Sequence, residues 1–305
     1  MEAALDDLAR TTGPDAGGWV VIHNPTAGWR RRRRVARVLA ALAAADRAPT
    51  VLSTTRRGDA EAFAADAADG GVRAVIVAGG DGTINEALNG MAGAPLGLGL
   101  IPVGTANVLA HELGIGASLS RAARALAAGR TRAIRLGRVD GRYFAMMAGV
   151  GFDAAVVAGI DPVAKRRFGK GAYLLSGLRV FRAWRPRRYR VTIDGTAHEA
   201  ASVVCCNGRF YGGRFVLADA ARLDDDRLHV VLFARPGRWA ILRYLAAMAL
   251  GFVRHLPDIR VIEGRDVTIA AADGTAEPVQ ADGDIVAHLP VRVTMAADET
   301  RVFVP

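Results

Sequence analysis

The segment at residues 74–83 has the sequence AVIVAGGDGT. Its first five residues form an uninterrupted apolar run, which is typical of a strand buried on both faces of a parallel sheet. Three glycines then surround Asp81, and helical sequence follows from Ile84. Glycine opens backbone positions that are closed to other residues and lets N–H groups approach phosphate oxygens, and the N-terminal end of a helix favours anions. The segment therefore predicts a phosphate-binding turn between a buried strand and a helix.

The acidic residue in this turn needs its own explanation, because a carboxylate repels a bare phosphate group. Asp81 is explained if it holds Mg²⁺ or a hydroxyl group of the ligand. The alternative is an ordinary strand-to-helix turn in which Asp81 or Thr83 is the helix N-cap. Three glycines around one acid at the carboxyl end of a buried strand favour the first interpretation.

The same order of strand, turn and helix recurs on both sides of this segment. Strands are predicted at 20–22, 50–53 and 96–101, and helices at 35–45 and 59–68. Two further turns, at 24–28 (NPTAG) and 102–107 (PVGTAN), follow strands directly. Open α/β sheets bind ligands at the carboxyl ends of their strands. The alternation predicts βαβ units and a Rossmann-like nucleotide-binding domain over residues 18–136.

After Arg135 the pattern changes to short strand candidates with few helices between them. Strands are predicted at 138–148, 188–195, 203–206, 228–233, 266–270 and 291–295, and helices at 154–160, 172–184 and 239–252. The fold class is therefore α/β followed by a second, mostly β domain over residues 137–305. The final residues are allowed to pack back on the first domain.

Composition excludes several classes of protein. Of 305 residues, 51% are hydrophobic and 23% are charged, so the chain is not disordered, collagen-like or a coiled coil. Lys and Arg number 40 against 30 Asp and Glu, a net charge of +10 that favours anionic partners. These partners are nucleic acid, phosphorylated ligands or an acidic membrane surface, although an arginine-rich genome would produce part of the same excess.

The cysteines and the apolar segments indicate the compartment. Cys205 and Cys206 are adjacent, so they are not expected to form a disulfide, and a reducing cytoplasmic location is predicted. No signal peptide is recognised. The apolar segment at 239–253 is too short to span a bilayer and contains Arg243.

The motifs together resemble the diacylglycerol kinase catalytic domain, and more closely the bacterial lipid kinases related to sphingosine and ceramide kinases. The resemblance rests on NPTAG at 24–28, GGDGT at 79–83 and PVGTAN at 102–107. It continues through GVGFDA at 149–154 and the DGD at 282–284, so it covers about residues 19–300. The GGDGT motif alone is shared with NAD kinases and phosphofructokinases, whereas the later segments are not.

The resemblance implies a sandwich-like second domain, an active site in the cleft between the two domains, and transfer of a phosphoryl group from ATP, with Mg²⁺, to a lipid alcohol. It assigns catalytic roles to Asp81 and Asp284 and substrate binding to Asp153. The ATP contacts that it implies are Asn24, Thr26, Gly28, Thr55, Gly79, Gly80, Gly82, Thr83, Gly104, Thr105 and Asn107.

One acidic position departs from the family pattern and another corresponds to it. Asp284 stands where the family carries Glu in an Asp-Gly-Glu motif, and Asp can also act as the base for the lipid hydroxyl. Asp225, in the run Asp224–Asp226, corresponds to an acid that holds a structural Mg²⁺ together with backbone carbonyls in bacterial relatives. The alternative for that run is a solvated acidic turn.

Basic residues mixed with aromatic ones predict reversible association with an anionic membrane surface. They form a cluster from Lys165 to Arg190, and no nucleic-acid-binding module accompanies it. The run Arg30–Arg34 is open to two interpretations, contact with ATP phosphates or anionic lipid headgroups, and a solvated helix face. The predicted partners are a lipid alcohol and an anionic membrane surface, without nucleic acid, and a homodimer stays open. An NAD kinase-like phosphotransferase and a non-catalytic lipid- or nucleotide-binding regulator remain as alternatives.

Overall fold

The computed structural model describes residues 17–25, 35–40, 42, 49–160 and 170–305. The chain divides into two units. The first unit extends to Ile134 and also includes Asp298–Pro305, and the second comprises Arg135–Ala297.

A parallel sheet forms the centre of the first unit. Its strands are β1 (Trp19–His23), β2 (Thr50–Ser53), β3 (Ala74–Gly79) and β4 (Gly97–Pro102), and the last residues of β18 (Val291–Phe303) join them. The order is β2-β1-β3-β4-β18, and every neighbouring pair in this part is parallel. All residues of β1, β3 and β4 are buried, as the apolar runs predicted for strands covered on both faces.

The helices of the first unit pack through small residues. They are α1 (Asp59–Asp69), α2 (Asp81–Gly90), α3 (Val108–Glu112) and α4 (Leu119–Ala128), and residues 35–40 are also helical. On α1 the buried residues are Ala60, Ala64 and Ala67. A Cβ atom on Gly90 of α2 would lie 2.1 Å from the carbonyl oxygen of Glu61, so glycine is required where these helices meet.

Two expectations about the glycine turn are wrong. Helix α2 begins at Asp81, not Ile84, so Asp81, Gly82 and Thr83 lie in its first turn. Gly80 precedes it in extended backbone, with φ −102° and ψ −175°, and Asp81 follows at the positive helix end, which stabilises a negative charge. Neither Gly79 nor Gly80 has a positive φ, so these glycines serve close approach and not an unusual backbone conformation.

The second unit contains antiparallel strands of two large sheets and one separate two-stranded sheet. Besides β18, its strands are β5 (Thr131–Val139), β6 (Arg142–Phe144), β7 (Met147–Val150), β8 (Tyr189–Ile193), β9 (Thr196–Ala200), β10 (Ser202–Cys206), β11 (Phe210–Tyr211), β12 (Phe215–Val216), β13 (Leu228–Phe233), β14 (Ile259–Gly264), β15 (Asp266–Ala271), β16 (Pro278–Ala281) and β17 (Asp284–His288). One sheet has the order β14-β13-β10-β7-β16-β17, and the other includes β18-β15-β8-β9. The predicted α/β domain followed by a β-sandwich domain is confirmed.

The core of this unit lies between its two sheets. Tyr189 and Val191 of β8 belong to the same buried cluster as Val203 of β10 and Val230 of β13. The predicted strand at 138–148 is divided by Asp140 and Gly141, which both have positive φ, so β5 and β6 form a hairpin. Cys205 and Cys206 are buried and are not joined by a disulfide, as expected.

Among the described residues of the second unit, the α-helices are α5 (Phe152–Ala158), α6 (Lys170–Ala183) and α7 (Arg238–Ala249). Helix α7 covers the apolar segment that was judged too short to span a bilayer. Among the residues described above, no helix has the length and apolar character needed to cross a membrane.

Candidate functional site

Three turns leave the carboxyl ends of neighbouring parallel strands in the first unit. The backbone N–H of Asn24, after β1, donates to the carbonyl of Ala78 in β3 at 3.0 Å. The N–H of Val103, after β4, donates to the carbonyl of Gly79 at 3.1 Å. The structure therefore brings together the beginnings of the three turns that the sequence singled out.

Asn24 also contacts the glycine turn through its side chain. Its Nδ2 atom donates to Oγ1 of Thr83 at 3.0 Å, and Thr83 is buried in the first turn of α2. A Cβ atom on Gly79 would lie 2.7 Å from Cβ of Thr83, so glycine at 79 leaves the space that this side chain occupies. Thr26 and Gly28, predicted to bind ATP, lie outside the described residues.

The glycine turn packs directly on the turn after β4. A Cβ atom on Gly104 would lie 2.5 Å from Cα of Gly80 and 2.7 Å from Oδ1 of Asn107. A Cβ atom on Gly80 would in turn lie 3.2 Å from Cα of Gly104. The two backbones therefore approach each other more closely than any pair of residues with side chains permits.

Asp81 fastens the same two turns together. Its Oδ2 accepts a hydrogen bond from the N–H of Asn107 at 2.8 Å, and its Oδ1 accepts one from the N–H of Val108 at 2.6 Å. Burial raises the pKa of Asp81, while these backbone hydrogen bonds act in the opposite direction. The carboxylate thus caps the start of α3 from a different turn, a use that neither sequence interpretation included.

Asn107 has a strained backbone at the centre of this arrangement. Its φ and ψ are both 49°, in the left-handed region, and its Nδ2 donates to the carbonyl of Gly104 at 3.0 Å. Its buried Oδ1 has no hydrogen-bond partner among the described residues. Thr105, between these residues, is exposed, so its hydroxyl is accessible to a ligand.

Thr55, another predicted ATP contact, is engaged locally. Its N–H and its hydroxyl both donate to Oδ2 of Asp59, at 2.7 and 2.8 Å, at the start of α1. These hydrogen bonds, the one from the Thr55 N–H first, lower the pKa of Asp59 well below its ordinary value. The structure therefore shows Thr55 bound to Asp59 in the turn before α1 and leaves its ATP contact a prediction.

In the second unit, Asp153 forms the centre of a buried polar cluster. Its Oδ2 accepts from Nε2 of Gln280 at 2.9 Å, and the hydroxyl of Tyr211 also donates to its carboxylate. Its buried Oδ1 has no hydrogen-bond partner in the part of the chain that the structure describes. Burial raises the pKa of Asp153 to about 6, although both hydrogen bonds lower it.

Gln280 connects this cluster to the DGD turn. Its Oε1 accepts from the N–H of Gly283 at 2.9 Å, so one side-chain amide touches both the Asp153 carboxylate and the turn before Asp284. Asp284 itself is half-buried at the start of β17, opposite Ala281 of β16. The sequence analysis did not identify Gln280, because a single glutamine in a short strand carries no motif.

Asp282 has a structural task that the sequence analysis also missed. Its carboxylate accepts hydrogen bonds from the N–H groups of Ala145, Met146 and Met147, at 2.6, 3.0 and 3.1 Å. Its own φ is 48°, a conformation that Asp tolerates better than most residues. The Asp-Gly pair at 282–283 was the available signal, because this pair is typical of a tight turn.

The side chains of the acidic run at 224–226 do not converge on one point. Oδ2 of Asp225 lies 3.7 Å from Nε2 of His229, whereas Asp226 forms ion pairs with Arg265 and Arg227. Among the described residues, no group of three or more His, Cys, Asp or Glu side chains is arranged to hold a metal ion. A Mg²⁺ site made of Asp225 and backbone carbonyls remains a prediction.

A Mg²⁺ ion that binds together with a nucleotide needs fewer ligands from the protein. Such an ion is held by one or two carboxylates together with phosphate oxygens and water. Asp81 lies beside the glycine turn, and carboxylate oxygens have more than one lone pair each, so it can offer an oxygen to a metal while it accepts backbone hydrogen bonds. The residues present therefore fit a Mg²⁺ ion that is bound to the phosphate groups of a nucleotide.

Two family models match the chain in the order of its two units. Residues 18–139 match the diacylglycerol kinase catalytic domain, and residues 146–304 match the YegS C-terminal NAD kinase beta sandwich-like domain. A parallel α/β domain with glycine turns, followed by a domain of this kind, defines a kinase-type phosphotransferase.

Individual proteins agree with the family models. The chain is 31% identical over 280 residues to a diacylglycerol kinase of Bacillus subtilis, covering 88% of this chain and 90% of that protein. It is 29% identical over 258 residues to a diacylglycerol kinase of Mycobacterium tuberculosis, with coverage of 81% and 82%. A crystal structure of a diacylglycerol kinase from Bacillus anthracis has the same fold, with a TM-score of 0.77, 24% identity and coverage of 95% and 97%.

The chain therefore belongs to the diacylglycerol kinase family and is a lipid kinase of that type. The family resemblance predicted from the sequence is confirmed.

Proposed function

We propose that this protein transfers the γ-phosphoryl group of ATP, with Mg²⁺, to the hydroxyl group of a diacylglycerol-like lipid. The relatives named diacylglycerol kinase support the lipid class. The observation that carries the proposal is the joined pair of turns after β3 and β4, because it forms a rigid backbone surface with little side-chain bulk at the edge where open α/β sheets bind ligands.

The first unit would hold the nucleotide. Backbone N–H groups of Gly80 and Gly82 at the start of α2 would contact phosphate oxygens, since a helix N-terminus and small residues together suit an anion. Thr83, Asn24 and the exposed Thr105 would contribute side-chain hydrogen bonds. Mg²⁺ would neutralise charge on the phosphate chain, and Asp81 is the carboxylate beside it. Phosphoryl transfer depends mainly on such positioning and charge neutralisation.

The second unit would supply the acceptor groups. Asp284 would take the proton from the lipid hydroxyl, and Asp153 would hold the substrate through its unpartnered Oδ1. Gln280 would orient both, because its amide contacts the Asp153 carboxylate and the Gly283 N–H. With a pKa of about 6, Asp153 is largely ionised near neutral pH and can accept a hydrogen bond there.

A phosphotransfer assay with γ-labelled ATP tests this function. The acceptors would be diacylglycerol, a sphingoid base, phosphatidylglycerol and NAD⁺, each with and without Mg²⁺. We expect Mg²⁺-dependent label in a lipid product, and most of it with diacylglycerol. Label in NADP⁺ would favour the NAD kinase alternative, and nucleotide binding without transfer to any acceptor would favour a regulatory protein.

A further inference from the structure

Helix α7 exposes large apolar side chains. Trp239 is 84% exposed, Leu242 41% and Leu245 43%, and these residues follow one another at intervals of three along the helix. Leu250, just after the helix, is 74% exposed, and Phe252 is 43% exposed. We call these five residues the α7 face.

The opposite side of the same helix is buried and consists of two alanines and one tyrosine. Ala240, Tyr244 and Ala247 are the buried residues of α7. A surface helix ordinarily turns its largest apolar residues toward the core, because their burial yields the most free energy. On α7 the alanines face the protein and the tryptophan and leucines face outward. Contiguous exposed apolar residues of this kind mark an interaction site.

The helix is fastened to the second unit by a polar network. The hydroxyl of Tyr244 donates to Oδ2 of Asp258 at 2.7 Å, and Arg243 forms an ion pair with the same carboxylate. The Tyr244 ring also packs against Phe233, with ring centroids 5.0 Å apart. The α7 face is therefore presented by a firmly held helix and not by a fraying end.

Cations surround the α7 face. Residues 235–260 contain five arginines and one acidic residue, Asp258. Nη1 of Arg238 donates to the carbonyl of Arg182 at 3.3 Å, so the end of α6 lies beside the start of α7. Helix α6 exposes Leu175 (57%) and Leu178 (46%) as well. Apolar side chains among cations match the interface of an anionic bilayer.

We propose that the α7 face docks the protein on an anionic lipid bilayer by inserting Trp239, Leu242 and Leu245 into the interfacial region. This inference deepens the proposed function and rests on it, since that function requires a substrate held in a bilayer. A second copy of the chain is disfavoured as the occupant, because pairing two α7 faces would bring the same arginines together.

The α7 face replaces the cluster near the end of α6 as the main contact. In that cluster Nε of Arg187 lies 2.9 Å from Oε1 of Glu277, and Nη1 of Arg188 lies 3.9 Å from Oε2 of Glu199. Arg235 and Arg243 beside the α7 face are paired as well, with Asp258, so it is the exposed apolar side chains that distinguish the α7 face. Apolar insertion therefore holds the protein, and the arginines assist.

Vesicle co-sedimentation without ATP tests the inference. The variant Leu242→Gln/Leu245→Gln should bind vesicles of phosphatidylcholine and phosphatidylglycerol about tenfold more weakly for each leucine replaced. Val261→Gln is the matched control, because Val261 is 44% exposed but belongs to β14. Unchanged binding of the double variant, or an equal loss in the control, would overturn the inference. The inference would also be overturned if the wild type did not bind vesicles and the double variant lost the ability to self-associate.

A second measurement does not depend on the leucine variant. Brominated lipids should quench the tryptophan fluorescence of the wild type, and Trp239→Phe should lose most of that quenching although three other tryptophans remain. Quenching that is the same in both proteins would contradict insertion of Trp239.

The proposed kinase function can fail separately. With a short-chain, water-soluble diacylglycerol, the leucine variant should turn over like the wild type, whereas on vesicles its rate should fall with its binding. If no lipid is phosphorylated but Trp239 still inserts, the docking surface stands and the proposed function is wrong. If lipid is phosphorylated and the variants bind normally, the docking inference is wrong.

Discussion

Asp81 shows how one carboxylate can serve both the structure and the proposed chemistry. Its oxygens accept from the N–H groups of Asn107 and Val108, 26 and 27 residues away in sequence. Asp81→Asn keeps the shape but places an NH₂ group against one of these donors. We expect loss of kinase activity together with a loss of about 1–3 kcal/mol in the free energy of unfolding.

The measurement is ATP turnover beside chemical denaturation. Asp194→Asn is the control, because Asp194 also accepts two backbone N–H groups, from Arg265 and Asp266, but lies on an exposed turn of the second unit. It should keep full activity. Wild-type turnover by Asp81→Asn at saturating Mg²⁺ would exclude a catalytic or positioning role for Asp81.

Asp153 gives the protein a predictable pH dependence. Burial raises its pKa from 3.8 to about 6, so over that range the folded state holds its proton more tightly than the unfolded state does. The resulting stabilisation is complete below pH 3.8 and is lost as the pH rises through about 6, a difference of about 3 kcal/mol.

Asp153→Asn removes this titration. We expect the free energy of unfolding of the variant to depend less on pH between about 4 and 6 than that of the wild type. We also expect the variant to be more stable than the wild type near neutral pH, because the raised pKa means that ionised Asp153 destabilises the folded state. Denaturant titrations at a series of pH values measure it. A variant curve parallel to the wild-type curve would show that Asp153 has an ordinary pKa.

Asp284 is tested through kinetics because its proposed role concerns only the acceptor. Asp284→Ala should lower kcat by about 10²–10⁴-fold, the usual contribution of a general base, with little change in the KM for ATP. Asp284→Glu, which has the residue typical of the family, should retain activity, and Glu199→Ala on β9 should have no effect. An unaffected kcat in Asp284→Ala would move the role of base to another residue.

At the scale of elements, the contact between the β3 and β4 turns depends on glycine. Gly104→Ala would place a Cβ atom 2.5 Å from Cα of Gly80, so the backbone of one of the two turns would have to shift. We expect a loss of about 1–3 kcal/mol in stability and a raised KM for ATP, because the turns must separate. Thermal unfolding and initial rates measure the two effects.

Gly177→Ala in α6 is the matched control for this substitution. Nothing lies within 4 Å of a Cβ atom at 177, and alanine favours a helix, so the change should be neutral or stabilising by up to about 1 kcal/mol. Equal losses at positions 104 and 177 would mean that the close approach of the two turns is not what makes Gly104 necessary.

At the scale of the whole molecule, a net charge of +10 should govern the approach to a membrane. Arg182→Gln/Arg185→Gln removes two exposed cations and should weaken binding to anionic vesicles roughly thirtyfold at low salt. The difference should shrink as salt is raised, because the Debye length falls below about 8 Å.

The control Arg73→Gln/Arg124→Gln removes the same charge from exposed positions of the first unit and should have little effect. Vesicle binding across a salt series measures both variants. An equal response of the two pairs would show that total charge, and not its position near α6 and α7, steers the protein.

The α/β domain, the three turns and the family are evident from the amino-acid sequence, because these depend on local order. A strand buried on both faces is an unbroken apolar run, and a glycine turn after it is visible within ten residues. The sequence also predicted a second β domain but missed β9, β11, β12, β14, β16 and β17, because these short strands contain no long apolar run.

The contacts between the site residues, in contrast, depend on the three-dimensional fold. Asp153 meets Gln280 across 127 residues, and Asp282 meets Ala145 across 137, so no local pattern records either contact. The apolar composition of α7 is evident from the sequence, but the side of the helix that is exposed is not. Which of its faces points outward depends on where Tyr244 finds Asp258 and Phe233, and that contact leaves Trp239 and the leucines exposed.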